Sequence, residues 1–277
     1  MGGSSGFVGN MAESYPALGH STADATVTIV NPISVGGSIS EAPNIWQWKV
    51  KDGSADVDGA FDGDITEGGG GDHGFDKTGA GTLAINGDMS LLDTITVSEG
   101  RLLINGDASA STAAWTVAAG ATLGGSGTVG GAATVNGGTV APGASAGTLS
   151  FNDNLTLDSA ASIDIEIGGT VAGTDHDVLD VGGALDLGGG TINVSLINSY
   201  APAGGETFDI LDFTSITGDS GATVNLPTLG SGLDWDDSSL FTDGTLSVLS
   251  AAVLTGDFDN SGAVGQSDLS LVLGAWG

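Results

Sequence analysis

Along the middle of this 277-residue chain, apolar and polar positions alternate in short runs, and most runs are bounded by Gly or by an Asn-Gly pair. The segments GTLAINGD (81–88) and GRLLINGD (100–107) are one unit repeated 19 positions apart. Strict alternation sends successive side chains to opposite faces of a strand, so Leu83 and Ile85 share a face, as do Leu102 and Ile104. The pattern continues through Ile95/Val97, Trp115/Val117, Leu149/Phe151, Leu155/Leu157, Ile163/Ile165/Ile167 and Ile192/Val194/Leu196, with Thr, Ser, Asn and Asp between. It predicts an all-β chain that lays down its core one short strand at a time.

Two architectures accommodate many short strands joined by tight turns: a solenoid with stacked parallel strands, or an antiparallel sandwich or barrel. Asn-Gly is a favoured hairpin turn and argues for the second. The repeat of about 20 residues, the buried apolar stripe and the abundance of Gly argue for the solenoid. FDILDF (208–213) and TVNLPTLGSGLDWD (223–236) carry larger apolar groups and suit a thicker end that closes the stack, because an open strand edge invites aggregation. Residues 1–40 are an N-terminal segment with two candidate strands in 25–40, residues 41–250 the β-solenoid, and residues 251–277 a separate tail. DITEGGGGDHGFDKTG (64–79) reads as a flexible acidic loop.

Composition narrows the possibilities. Fifty Gly against 8 Phe, 5 Trp and 2 Tyr exclude a bulky aromatic core, while 40% apolar and 14% charged residues are too hydrophobic for a disordered chain. The net charge of −30 comes from 34 acidic residues against Lys49, Lys51, Lys77 and Arg101. Nucleic acid and anionic membranes are thereby excluded as partners, and self-repulsion favours an elongated shape or bound cations. With no cysteine there is no disulfide, thiol nucleophile or thiolate metal site. The first 21 residues lack the basic and apolar regions of a leader, so we expect a leader to have been removed or the native start to lie elsewhere.

The runs FDKTGAGTLAINGD, AAGATLGGSGTVGGAATVNGGTVAPGASAGTLSF and GGTVAGTDHDVLDVGGALDLGGGTINVSLI resemble the autotransporter-associated β-strand repeat family over roughly residues 75–250. The resemblance implies a right-handed parallel β-helix on an extracellular or cell-surface bacterial protein. Among these residues we expect it to extend to the passenger part only, without a membrane-embedded barrel segment.

The last residues, GDFDNSGAVGQSDLSLVLGAWG (256–277), follow a different pattern. Asp257, Asp259, Ser261, Gly262 and Asp268 fall at the spacing of an EF-hand-type calcium loop, which needs alternating oxygen ligands and a Gly at its sharp turn. Ala263 supplies a backbone carbonyl, Gly265 acts through water, and Val264 is the apolar anchor. Leu269, Val272, Leu273 and Trp276 then recur at helical spacing, with Ser267 placed to cap the first turn. The unit resembles a single type I dockerin repeat. Ser261 stands where Asp or Asn is usual and Asp268 where a bidentate Glu is common; dockerins carry two such repeats, and these residues hold one. The expected cofactor is Ca2+.

Other motifs carry less. GASAG (143–147) lacks the helix a nucleophile elbow requires, GSGTVG (125–130) lacks the helix that would hold a phosphate, and GDSGA (218–222) has no recognisable histidine partner. Asp175, His176 and Asp177 read as an exposed turn in preference to a metal cluster. Trp46 and Trp48, on either side of Gln47, form either a sugar-stacking platform or a core-facing cap. The function expected is that of a non-enzymatic extracellular structural solenoid that associates with itself, with a cell-surface or polysaccharide partner possible. The rival readings are an adhesin or scaffold-binding module docking through its tail, and a polysaccharide lyase, against which stands the scarcity of Lys and Arg in the repeats.

Overall fold

The computed structural model describes residues 17–18, 25–36, 45–69, 72–250, 256, 258, 259, 261 and 263–274. The chain is mostly β, built from long parallel sheets in a solenoid-like stack. Within the parallel stack, each strand pairs with a strand one full turn further along the chain and not with its immediate successor. One face stacks Ile45–Val50, Gly74–Thr78, Ile95–Val97, Trp115–Val117, Ala133–Val135 and Leu155–Leu157. A second stacks Val27–Ile29, Gly59–Phe61, Thr82–Ile85, Arg101–Ile104, Thr122–Gly125, Thr139–Pro142, Ser162–Ile167, Thr191–Leu196 and Thr223–Asn225. A third comprises two runs, Ile33–Val35 to Met89–Ser90 and then Asp107–Ala108 to Thr148–Phe151. Val178–Asp186 serves two faces, because its register shifts between Val181 and Ala184 and the strand bends there.

Parallel register explains the core. Leu102 lies against Leu83 and Ile104 against Ile85, so the repeated unit places like on like. Ile95, Trp115, Ala133 and Leu155 form one inward column, and Val97, Val117, Val135 and Leu157 the next; all are buried. Full burial of each such side chain contributes roughly 1.5–3 kcal/mol, offsetting the entropy of ordering a Gly-rich chain.

The Asn-Gly pairs are corners of the coil and not hairpin turns. Asn105 Nδ2 donates to Asn86 Oδ1 (2.8 Å) and Asn86 Nδ2 to Asp62 Oδ1 (2.7 Å), so the corner amides satisfy one another from turn to turn. The segment expected as a flexible loop at 64–79 instead holds the strands Ile65–Glu67 and Gly74–Thr78, with Ile65, His73 and Phe75 buried. Parallel pairing also begins upstream of residue 41, at Ala17–Leu18, Val27–Ile29 and Ile33–Val35.

At the other end, Thr207–Asp209, Thr245–Ser250 and Leu233–Asp236 form an antiparallel sheet. Phe208, Leu240, Leu246 and Val248 are buried beneath it, and Phe208 packs against Tyr200, Trp235 and His176. An aromatic cluster thus sits beside the last turns of the stack.

Candidate functional site

Two regions carry chemistry. In the tail, Asp257 and Gly262 lie outside the described residues, whereas Asp259, Ser261, Ala263 and Gly265 are exposed and Asp268 is buried. Ser261 N donates to Asp259 Oδ1 (3.1 Å) and Ser261 Oγ to Ala263 O (3.2 Å), which draws three of the expected ligand residues into one turn. Asp268 closes the loop: its Oδ1 accepts from Phe258 N (2.7 Å) and Asp259 N (3.2 Å), and its Oδ2 from Gly265 N (2.7 Å). The last contact is the reach-back of a capping box at the start of the helix Gln266–Gly274. These N–H groups, Gly265 first, hold the Asp268 carboxyl below its ordinary pKa, so it stays ionised.

This donor set fits a hard cation in part. An ionised carboxylate offers about four lone-pair positions. Two N–H groups occupy Oδ1 and one occupies Oδ2, so the arrangement suits monodentate ligation through Oδ2 better than the bidentate grip of a Glu. Carboxylate, hydroxyl and carbonyl oxygens of Asp259, Ser261 and Ala263 complete an all-oxygen set.

The second region was not anticipated. A cleft of about 290 Å³ opens on the outer side of the second face, between the strands and the turns at 143–147 and 168–177. Arg101, Thr122 and Thr139 come from successive strands in register, and Asp164, Glu166 and Asp177 also line it. Arg101 Nη2 donates to Gly143 O (3.1 Å), while its Nε is buried without an acceptor among the described residues. Asp164 accepts from Asn193 Nδ2 (2.8 Å).

Asp177 overturns the expectation of an exposed turn. Both it and His176 are 1% exposed. Asp177 accepts from Gly147 N and Glu166 N, each at 2.8 Å, and so ties two neighbouring turns together. Burial pushes its carboxyl up to about 7, against the pull of those N–H groups. His176 spans Gly169 O (3.1 Å) and Asp209 O (3.3 Å), a bracing role and not a metal site. The signal for this region was in the sequence: Arg101 occupies the register position that Thr82, Thr122 and Thr139 hold on neighbouring turns, and it is the only arginine in the chain.

The other motifs settle as structure. Trp48 is buried and packs edge-on against Phe61 (4.9 Å between centroids), the core-facing alternative for the Trp pair. Ser145 sits in an exposed turn that leads into the strand Thr148–Phe151. Compared with known proteins, the chain matches no family profile, and no curated protein is significantly similar to it.

Proposed function

We propose that the protein is an extracellular structural element: a right-handed parallel β-helix whose copies join end to end, with calcium held by the tail loop. One observation carries the joining. Phe258, Val264, Leu269, Leu271 and Leu273 in the tail are 51 to 63% exposed, whereas most large apolar groups of the stack are buried. Contiguous exposed apolar groups mark interaction surfaces.

The occupant we assign is the first turn of a second copy. There Val27–Ile29 and Ile33–Val35 each pair on one side only among the described residues, and Val27 and Val30 are 40% and 67% exposed. At the opposite end Leu211–Thr217 and Thr223–Asn225 each pair on one side only among the described residues, beside a separate antiparallel sheet. We assign the joint to the tail, a heterologous, head-to-tail contact of the kind that builds filaments. Asp259, Ser261, Ala263, Gly265 and Asp268 are the described calcium ligands of this reading, with Asp257 as the remaining carboxylate. Bound calcium also offsets part of the −30 charge at the joint.

Electron microscopy of the full chain in calcium, and again after chelation, tests the proposal. Filaments that shorten or dissolve on chelation support it. Discrete particles in both conditions favour the alternative, an adhesin or scaffold subunit whose tail docks on a different protein.

A further inference from the structure

We propose that the cleft beside Arg101 binds one glycosyl unit of a neutral polysaccharide. The inference stands apart from the filament reading, and either can fail alone.

Arg101, Asp164, Glu166 and Asp177 all line one cleft, yet no ion pair within 4.0 Å joins Arg101 to these carboxylates. A guanidinium surrounded by carboxylates would normally collapse onto one of them. Here it is anchored on Gly143 O from the side, and Asp177 is held away by Gly147 N and Glu166 N. The backbone therefore keeps donor and acceptors apart.

What bridges such a gap must donate to carboxylates and accept from a guanidinium at once. A sugar hydroxyl does both. Thr122 and Thr139 add hydroxyls, and Ala141, Pro142 and Ala144 add the small apolar surface that suits the C–H face of a pyranose. Charge selects among saccharides. Asp164 and Glu166 against one cation disfavour a uronate or sulfated unit and leave a neutral one. The cleft lies on the side of the stack and away from both ends, so a bound chain does not compete with end-to-end joining.

The test titrates the full chain with cellobiose, maltose, lactose and chitobiose by calorimetry and saturation-transfer NMR, with galacturonate and glycine as controls. The expected result is saturable binding of at least one neutral disaccharide, weakened at least about tenfold by Glu166→Gln and by Arg101→Lys at unchanged melting temperature. If either variant melts early, Thr122→Val reads the same loss from the cleft floor. Absence of binding by all four disaccharides, or binding that the variants leave intact, overturns the proposal. Binding of galacturonate or glycine alone also overturns it, since that assigns the cleft to an anion or a zwitterion.

Discussion

Lys77 occupies the place in an inward column that Val97, its register partner, occupies one turn later. Its aliphatic stem fills the core, while Nζ turns to the corner and donates to Gly79 O (2.6 Å) and Glu99 O (2.8 Å). Burial lowers its pKa to about 8, with Glu99, Asp58 and Asp76 pulling it partly back. In the unfolded chain the group keeps its proton up to about 10.5. Between those values unfolding takes up a proton, so this residue makes stability rise with pH. Urea denaturation from pH 8 to 10.5 should show that contribution in the native sequence, and Lys77→Met should lose it.

Asp177 acts in the opposite sense. Its folded pKa of about 7 lies above the unfolded 3.8, so the native state holds the extra proton between them. Its contribution is fully present below about pH 4 and is lost as pH rises through 7. Asp177→Asn should flatten this part of the profile. It should also cost about 1–3 kcal/mol throughout, because the amide NH2 faces a backbone N–H and leaves one of the two donors unsatisfied. The difference between variant and native stability, measured from pH 4 to 8, isolates the effect from the general repulsion of the acidic surface.

Glycines at the corners differ in what they tolerate. Gly120 and Gly125 both have positive φ (76° and 105°), but a Cβ at Gly120 meets nothing within 4 Å, whereas one at Gly125 falls 2.1 Å from Ile104 O. Gly120→Ala should cost about 1–2 kcal/mol from the left-handed backbone alone. Gly125→Ala should cost clearly more, because the stacked turn itself must move. Thermal melts of the two variants side by side check the order.

The tail loop depends on Asp268. Replacing it with Ala removes the acceptor for the N–H groups of Phe258, Asp259 and Gly265 together with a ligand of the proposed calcium site. Calcium affinity should fall by more than about tenfold. Asp268→Asn should retain some loop closure while still losing affinity. Calorimetric titration with calcium, paired with circular dichroism of the helix content, distinguishes loss of ligand from loss of loop.

Much of the stack was legible because alternation and repeat length act locally. Leu83/Ile85 and Leu102/Ile104 fall in register as their shared motif implies. Asn-Gly was ambiguous because the dipeptide suits any tight turn; only the neighbouring turn, which supplies Asn86 to Asn105, makes it a corner. Asp177 and Lys77 were misread for a related reason. Their burial comes from Gly147 and Glu99, 30 and 22 residues away, and no local pattern reports that. Within the tail, the helix that follows the acidic loop was legible, but the turning of both Asp268 oxygens toward backbone N–H groups was not.

Sedimentation equilibrium of the full chain in calcium and in chelator, over a wide concentration range, tests the central claim most directly. The account predicts masses that climb well above 26.9 kDa with calcium and concentration and return to it on chelation. A mass of 26.9 kDa in both conditions at the highest concentration would contradict end-to-end joining through the tail.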